Sequence, residues 1–338
     1  MKNILSFIKN RIVFCISFLL ALISCFFVIP SKEYLGYIDW NTLSILFALM
    51  ATIQGLNNLG IFKTFGSFLC SKCKSTRSLS IALIFMSFIS SMFITNDVAL
   101  LTFVPFSLYL LTTIPDIPLW IPLYTVILQT IAANTGSMLT PVGNPQNLFI
   151  YEQSGMNLLK FTSILLPYTI LCGILLFACS MIIPKVKIQQ QYNVNTVKES
   201  KTFHLTVYIL LFIICLISVV RIIPKTVTAL ITLIVLLIID RETLKKVDYF
   251  LLLTFVCFFI FSGNLSNIQF IKDFLQKTLN NRECISSMLL SQVVSNVPAT
   301  LMLYPFTENI KELLLGVNFG GLGTLIGSLA SLISFNIY

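Results

Sequence analysis

Ser91, Thr95, Asn96 and Ala99 stand in the frame Ser-x-x-x-(Thr/Ser)-Asn-x-x-Ala, and the frame returns 200 positions later as Ser291, Ser295, Asn296 and Ala299. A second pair follows each copy. Asn134-Thr135-Gly136 runs on to Thr140, Gly143 and Asn147, and Asn318-Phe319-Gly320 runs on to Thr324, Gly327 and Ser331 with identical spacing. All four clusters interrupt apolar sequence. Polar clusters duplicated in order within such a chain point to a membrane protein built from two repeats, with a transport site where they meet.

Apolar runs lie at 12–29, 42–59, 78–94, 98–114, 158–183, 204–223 and 227–239, and several approach the roughly 20 residues that cross a bilayer as helix. Charged residues make up only 10% of the 338, against about a quarter in soluble domains. The expected fold is therefore an all-α polytopic membrane protein of roughly 9–11 membrane segments. Its membrane partner is lipid. The net charge of +9 is spread over short connections, at Lys63, Lys72, Lys74 and Arg77, at Lys185, Lys187, Lys198 and Lys201, and at Arg241, Lys245 and Lys246. That pattern marks cytoplasmic loops and sets the N-terminus inside. No soluble module could carry nucleic acid. Cys70 and Cys73 form a lone C-x-x-C, and the single His204 is too far along the chain to complete a four-ligand zinc set. Lys2, Lys9 and Arg11 before the first run resemble a signal peptide, but apolar residues continue past Cys25, so the run is read as an uncleaved first helix of the cytoplasmic membrane.

The organisation divides as 1–184, holding repeat 1 with its motif core at 40–150, a cytoplasmic linker at 185–203, and 204–338, holding repeat 2 with its motif core at 248–335. Apolar arms about 16 residues long flank Thr95-Asn96-Asp97, short for full crossings. A re-entrant hairpin satisfies them better, because irregular backbone at membrane depth must face protein or water. Residues 134–145 hold Gly136, Pro141, Gly143 and Pro145, which break a helix, with helix resuming near Gln146. Asp248-Tyr249 echoes Asp39-Trp40. Counting crossings, Trp40 runs inward and Tyr249 outward, so the repeats are expected to be inverted. Asn96 and Asn134 lie 38 residues apart but Asn296 and Asn318 only 22, and nothing after Leu332 matches the run at 158–183. A last helix is thus expected to be missing from repeat 2.

Thr95-Asn96-Asp97, the run from Thr140 to Asn147, Ser295-Asn296-Val297-Pro298 and the stretch 323–332 resemble the ion transporter superfamily over residues 40–333. The resemblance takes in citrate-transporter-like permeases, the arsenite-efflux and sodium–proton antiporter branch, and the divalent-anion sodium symporters. It implies two re-entrant hairpins and two broken helices enclosing substrate and coupling ion, an elevator-like alternating-access motion, and a homodimer. The tips here read Thr-Asn-Asp and Ser-Asn-Val where the symporters carry Ser-Asn-Thr, which is closer to the arsenite-efflux and antiporter branch.

Asp97 is the leading functional residue. A carboxylate at mid-membrane is costly unless it is paired, bound to a cation or protonated, so it either binds sodium or carries a coupling proton; helix capping is the structural alternative. Sodium ligands are expected among Asn96, Asp97, Ser295 and Asn296. Asn96 and Asn296 offer amides beside helix N-termini, which can hold anion oxygens without arginine. The remaining candidates are Thr95, Asn134, Thr135, Thr140, Pro141, Asn144, Asn147, Val297, Pro298, Asn318 and Thr324, with Gly136, Gly143, Gly320 and Gly327 admitting close backbone approach. Glu152 is expected at the surface. The expected function is a secondary active transporter of a small anion, such as a di- or tricarboxylate or inorganic oxyanion, coupled to sodium or protons. The alternatives are a sodium–proton antiporter or arsenite-type efflux permease, and an inactive truncated copy. No paired carboxylates, H-E-x-x-H or intramembrane nucleophile–base pair supports an enzyme, and no cofactor is expected. No G-x-x-x-x-G-K-(S/T) loop occurs, so ATP drive would have to come from an associated ATPase.

Overall fold

A computed structural model describes residues 11–62, 64, 68, 71–114, 117–188, 202–325 and 327–338. Lys63, Cys70, Pro115 and most of the 185–203 linker lie outside the described residues.

Among the described residues the chain is helical throughout. It begins with α1 (Ile12–Phe27) and α2 (Trp40–Asn58), followed by a hairpin of α3 (Thr76–Ser90) and α4 (Asn96–Thr112). A broken helix comes next, α5 (Trp120–Ser137) and α6 (Pro145–Ser154), and then the long α7 (Leu158–Ser180). Past the linker lie α8 (Thr202–Val219), α9 (Lys225–Ile239), α10 (Tyr249–Ser266) and α11 (Gln269–Leu279). A second hairpin, α12 (Glu283–Val294) and α13 (Asn296–Leu303), leads to a second broken helix, α14 (Ile310–Gly320) and α15 (Leu329–Ile337). Helices α7, α8 and α10 are each long and apolar enough to span a membrane. Leu166, Ile170, Leu171, Ile174 and Phe177 of α7 point outward, as lipid-facing side chains do. The chain is an all-α polytopic membrane protein.

Helix starts follow the local chemistry. Asp39 accepts from the Asn41 and Thr42 amides at 3.0 and 3.2 Å, and Asp248 accepts from the Leu251 amide at 3.4 Å, so the echoed aspartates cap the echoed helices. Ser75 and Ser78 form a capping box at the start of α3. Asn144 caps α6 with a 3.0 Å bond from the Asn147 amide, and Pro145 fills its first position, where no amide donor is needed.

The two halves pack alike. α3 lies along α5 and α4 against α5; α12 lies along α14 and α13 against α14. The echo reaches single atoms. A Cβ on Gly136 would sit 2.0 Å from the Phe88 carbonyl and 2.6 Å from Ser91 Oγ, while one on Gly320 would sit 2.4 Å from Ser291 Cβ and 3.0 Å from the Met288 carbonyl. Residues 88 and 288, and 91 and 291, are repeat equivalents, so each glycine admits the same close crossing of hairpin arm and broken helix. Outside this core, α2 packs with α8 and α9, and α1 with α10.

The first break is shorter than expected. Helix α5 runs on to Ser137, so Asn134, Thr135 and Gly136 form its last turns rather than the break. Their carbonyls and amides continue the helical pattern, and only Pro141, Gly143 and Pro145 interrupt it. The compression of repeat 2 has two sources: α13 has 8 residues against 17 in α4, and α14 has 11 against 18 in α5.

Candidate functional site

Each broken helix is closed against its hairpin by one threonine. Thr140 Oγ1 donates to the Met92 carbonyl and accepts from the Gly143 amide at 3.2 Å. Thr324 Oγ1 donates to the Gln292 carbonyl at 2.8 Å and accepts from the Gly327 amide at 3.0 Å. Residues 92 and 292 are again equivalents. These threonines therefore satisfy backbone groups that the breaks would leave without partners at membrane depth.

The two breaks then meet through side-chain amides. Asn318 Nδ2 donates to Asn147 Oδ1 at 2.7 Å, and Asn318 Oδ1 accepts from Asn144 Nδ2 at 3.4 Å. On the other side, Asn134 Nδ2 donates to Ser331 Oγ at 3.4 Å, and Asn134 Oδ1 accepts from Ser328 Oγ at 3.0 Å. Asn134 corresponds to Asn318, Asn144 to Ser328 and Asn147 to Ser331, so each repeat's asparagine reaches the same two positions of the other repeat. Asn96 joins from the first tip by a 2.9 Å bond to Asn134 Oδ1. All these side chains except that of Ser331 are buried. A cross-bonded polar set of this kind specifies one register between two helices and leaves few polar groups unpaired.

The tips differ in two ways. Ser295 adopts φ 80°, a left-handed conformation strained for a residue with a Cβ, and the Asn296 amide behind it bonds the Gly327 carbonyl at 3.0 Å. Thr95 is an ordinary extended cap at φ −60°. Charge is the second difference, since Asp97 stands where repeat 2 has Val297. Each tip asparagine turns its Oδ1 onto the next amide, of Asp97 at 3.0 Å and of Val297 at 2.9 Å.

A cavity of about 530 Å³ collects these elements. Thr95 and Asp97 of the first tip, Asn144 and Pro145 of the first break, and Val297 and Pro298 of the second tip form one wall. Leu46, Leu49, Met50 and Ile53 of α2 form an apolar wall. Arg11, Lys245, Lys246 and Asp248 surround one end, where Arg11 Nη1 pairs with Asp248 at 2.9 Å. Among the described residues no side chain donates to or pairs with the Asp97 carboxylate, so it faces the cavity rather than capping its own helix.

The expected site residues separate accordingly. Thr95, Asp97, Asn144, Val297 and Pro298 line the cavity; Asn96, Asn134, Asn144, Asn147 and Asn318 form the network behind it. Thr140, Gly143, Thr324 and Gly327 shape the breaks, Pro141 starts the buried turn between α5 and α6, and Gly136 and Gly320 set the crossings. Ser295 Oγ donates to Asn296 Oδ1 at 3.3 Å, keeping both at the second tip. Thr135 stands apart, because its hydroxyl bonds back to the Ile131 carbonyl of its own helix at 2.8 Å. Ser328 was missed, although its place ten residues after Asn318 matches that of Asn144 after Asn134. Asn336, also missed, lines the cavity with no repeat signal to mark it. Glu152 is not at the surface: it pairs with Lys225 at 2.8 Å in a largely enclosed site.

The sequence pattern of the citrate transporter family matches residues 4–319. The chain belongs to the citrate transporter family. It is 33% identical over 312 residues to the uncharacterized transporter MJ0456 of Methanocaldococcus jannaschii, covering 92% of this chain and 84% of that protein. The inner membrane protein YbiR of Escherichia coli is 30% identical over 321 residues, with 93% and 84% covered. The putative transporter arsB of Dictyostelium discoideum is 30% identical over 148 residues, 43% of this chain and 25% of its own length.

Proposed function

We propose that the chain is a secondary active transporter of a small anion, a di- or tricarboxylate or an inorganic oxyanion, coupled to sodium or protons at Asp97 in the cytoplasmic membrane. The observation that carries this reading is Asp97 itself, an intramembrane carboxylate facing the cavity with no protein partner among the described residues. Such a group needs a cation or a proton to offset its cost, and a transporter supplies one in each cycle. Helix N-termini and neutral amides beside it offer donors for the substrate's oxygens. The matching bonds of the two repeats support an inverted-repeat scaffold, in which the tips and breaks move together past α2 and α10 in an elevator-like exchange of access. The basic end of the cavity is then the cytoplasmic one, with the N-terminus inside.

A second reading is arsenite-type efflux, in which an uncharged oxyacid leaves as the coupling cation enters. It is favoured by the makeup of the network, whose members are all neutral amides and hydroxyls. Everted membrane vesicles test the two readings together. Citrate, succinate, phosphate, sulfate and arsenite are supplied in turn under an imposed sodium or proton gradient. Gradient-dependent movement of a charged anion supports the first reading, and movement of arsenite alone supports the second. Sodium-driven proton movement with no substrate added would replace both with an ion antiporter.

A further inference from the structure

Half-helix α6 carries Asn144 and Asn147 at its start and a run of polar ties at its end. The Tyr151 carbonyl accepts from Arg221 Nη2 at 2.6 Å, and the guanidinium lies 4.7 Å from the centre of the Tyr151 ring. Glu152 pairs with Lys225 at 2.8 Å, the side chains being 6% and 13% exposed. Gln153 Nε2 donates to Asp39 at 2.7 Å. Three consecutive residues of the repeated core are therefore bound to the α8–α9 turn and to the cap of α2, elements that lie outside that core. Arg221 makes its bond from φ 71°, a strained left-handed conformation for a non-glycine residue.

The basic end of the cavity lies at the other end of α2. Asn58 closes that helix and bonds Thr243 Oγ1 at 2.9 Å, and Lys246, which reaches Asn58 Oδ1 at 3.4 Å, lines the cavity end. A helix of 19 residues separates the two ends by about 28 Å. The ties thus join the repeated core to its surroundings at the end of α2 remote from the basic residues of the cavity, and none of their residues lines it.

We infer that this end is the closed one, that the Glu152–Lys225 pair, aided by Arg221, is its latch, and that the pair must part before the site can be reached from that side. The chemistry suits a contact made and broken in each cycle. Glu152 Oε1 is buried with no hydrogen-bond partner, so the pair is incompletely satisfied. A buried ion pair of that kind adds little net stability while fixing one geometry firmly. A fully satisfied pair would hold the closed end too tightly, and an apolar contact would not fix the register.

The inference rests on alternating access, so its test reads access directly. Val98, beside Asp97 on the cavity wall, becomes the only cysteine through Val98→Cys in a chain whose nine cysteines are replaced. A membrane-impermeant maleimide is applied to each face of the membrane in turn. The parent should label from the cavity's open side. In Glu152→Gln/Lys225→Met, which removes both charges without stranding either, the ratio of closed-side to open-side labelling should rise by about tenfold. The swap Glu152→Lys/Lys225→Glu should restore the parent ratio. A ratio within about twofold of the parent in the neutral variant, with protein inserted and monodisperse, would overturn the latch and leave the transport reading intact. Equal labelling of the parent from both faces would overturn the one-sided cavity and the latch with it.

Discussion

Gly136→Ala should damage the protein more than the equivalent Gly320→Ala, and only the second should be rescued by a neighbour. At Gly136 the added Cβ meets the Phe88 carbonyl oxygen at 2.0 Å, while ordinary contacts begin at 3.4 Å. Backbone must therefore retreat by more than about 1 Å, in a core whose side chains are interdigitated. At Gly320 the nearest atoms are Ser291 Cβ at 2.4 Å and Oγ at 2.8 Å, and the first backbone atom is at 3.0 Å. Overpacking of this kind costs about 1–3 kcal/mol, with Gly136 at the upper end or beyond it. At about 2–4 °C per kcal/mol, Gly136→Ala should lower Tm by about 6–12 °C and Gly320→Ala by about half as much. Adding Ser291→Gly should recover most of the loss at 320, whereas Ser91→Gly should recover little at 136, because the Phe88 carbonyl stays in place. Gly173→Ala, where the nearest atom is at 3.4 Å in the lipid-facing α7, serves as the control and should be neutral or slightly stabilising. Thermal unfolding in detergent measures all five. Equal tolerance at 136 and 173 would refute the close crossing and with it the matched packing of the two repeats.

Asn318→Leu strands Asn147 Oδ1, while Asn144 Nδ2 keeps its 3.2 Å bond to Ser137 Oγ, and a buried group left without its partner costs about 1–3 kcal/mol; a double-mutant cycle with Asn147→Leu should return a coupling near 1 kcal/mol, and additivity would contradict the network. Burial works against ionisation of Asp240 at the end of α9, but bonds from Thr243 and from Tyr208, whose hydroxyl is 2.8 Å away, outweigh it and hold the carboxyl below its usual range. A lowered folded value means that Asp240 stabilises the protein above the ordinary carboxylate pKa of about 3.9 and stops doing so as pH falls through the folded value. The Tm advantage of the parent over Asp240→Asn should therefore be full at neutral pH and shrink towards strong acid, and a constant difference would refute the assignment.

Much of the core was legible in the sequence because the repeat is written into residue types with fixed spacing. Thr140 and Thr324, and Gly136 and Gly320, each do the same structural work in both halves, and Asn96 and Asn296 share the bond to the next amide. Positions where the repeat changes chemistry were harder to read. Ser328 does for Asn134 what Asn144 does for Asn318, but a serine in an apolar chain carries far less signal than a second asparagine. Thr135 lay inside a matching motif, yet its hydroxyl serves its own helix, a choice spacing cannot reveal. Glu152 looked like a surface residue because it stands just past the first break, five residues after Asn147. Its partner, Lys225, comes from a turn far along the chain, and such long-range pairing has no local pattern.

The account turns on Asp97, and reconstituted vesicles test it most directly. Purified parent and Asp97→Asn proteins are compared for solute uptake under a sodium gradient, a proton gradient and none. The parent is expected to move at least one small oxyanion or oxyacid only when a cation gradient is present. Asp97→Asn should fold and insert normally and lose that dependence. Ion-dependent flux at the parent rate in Asp97→Asn would contradict the assignment and move the coupling site elsewhere in the chain.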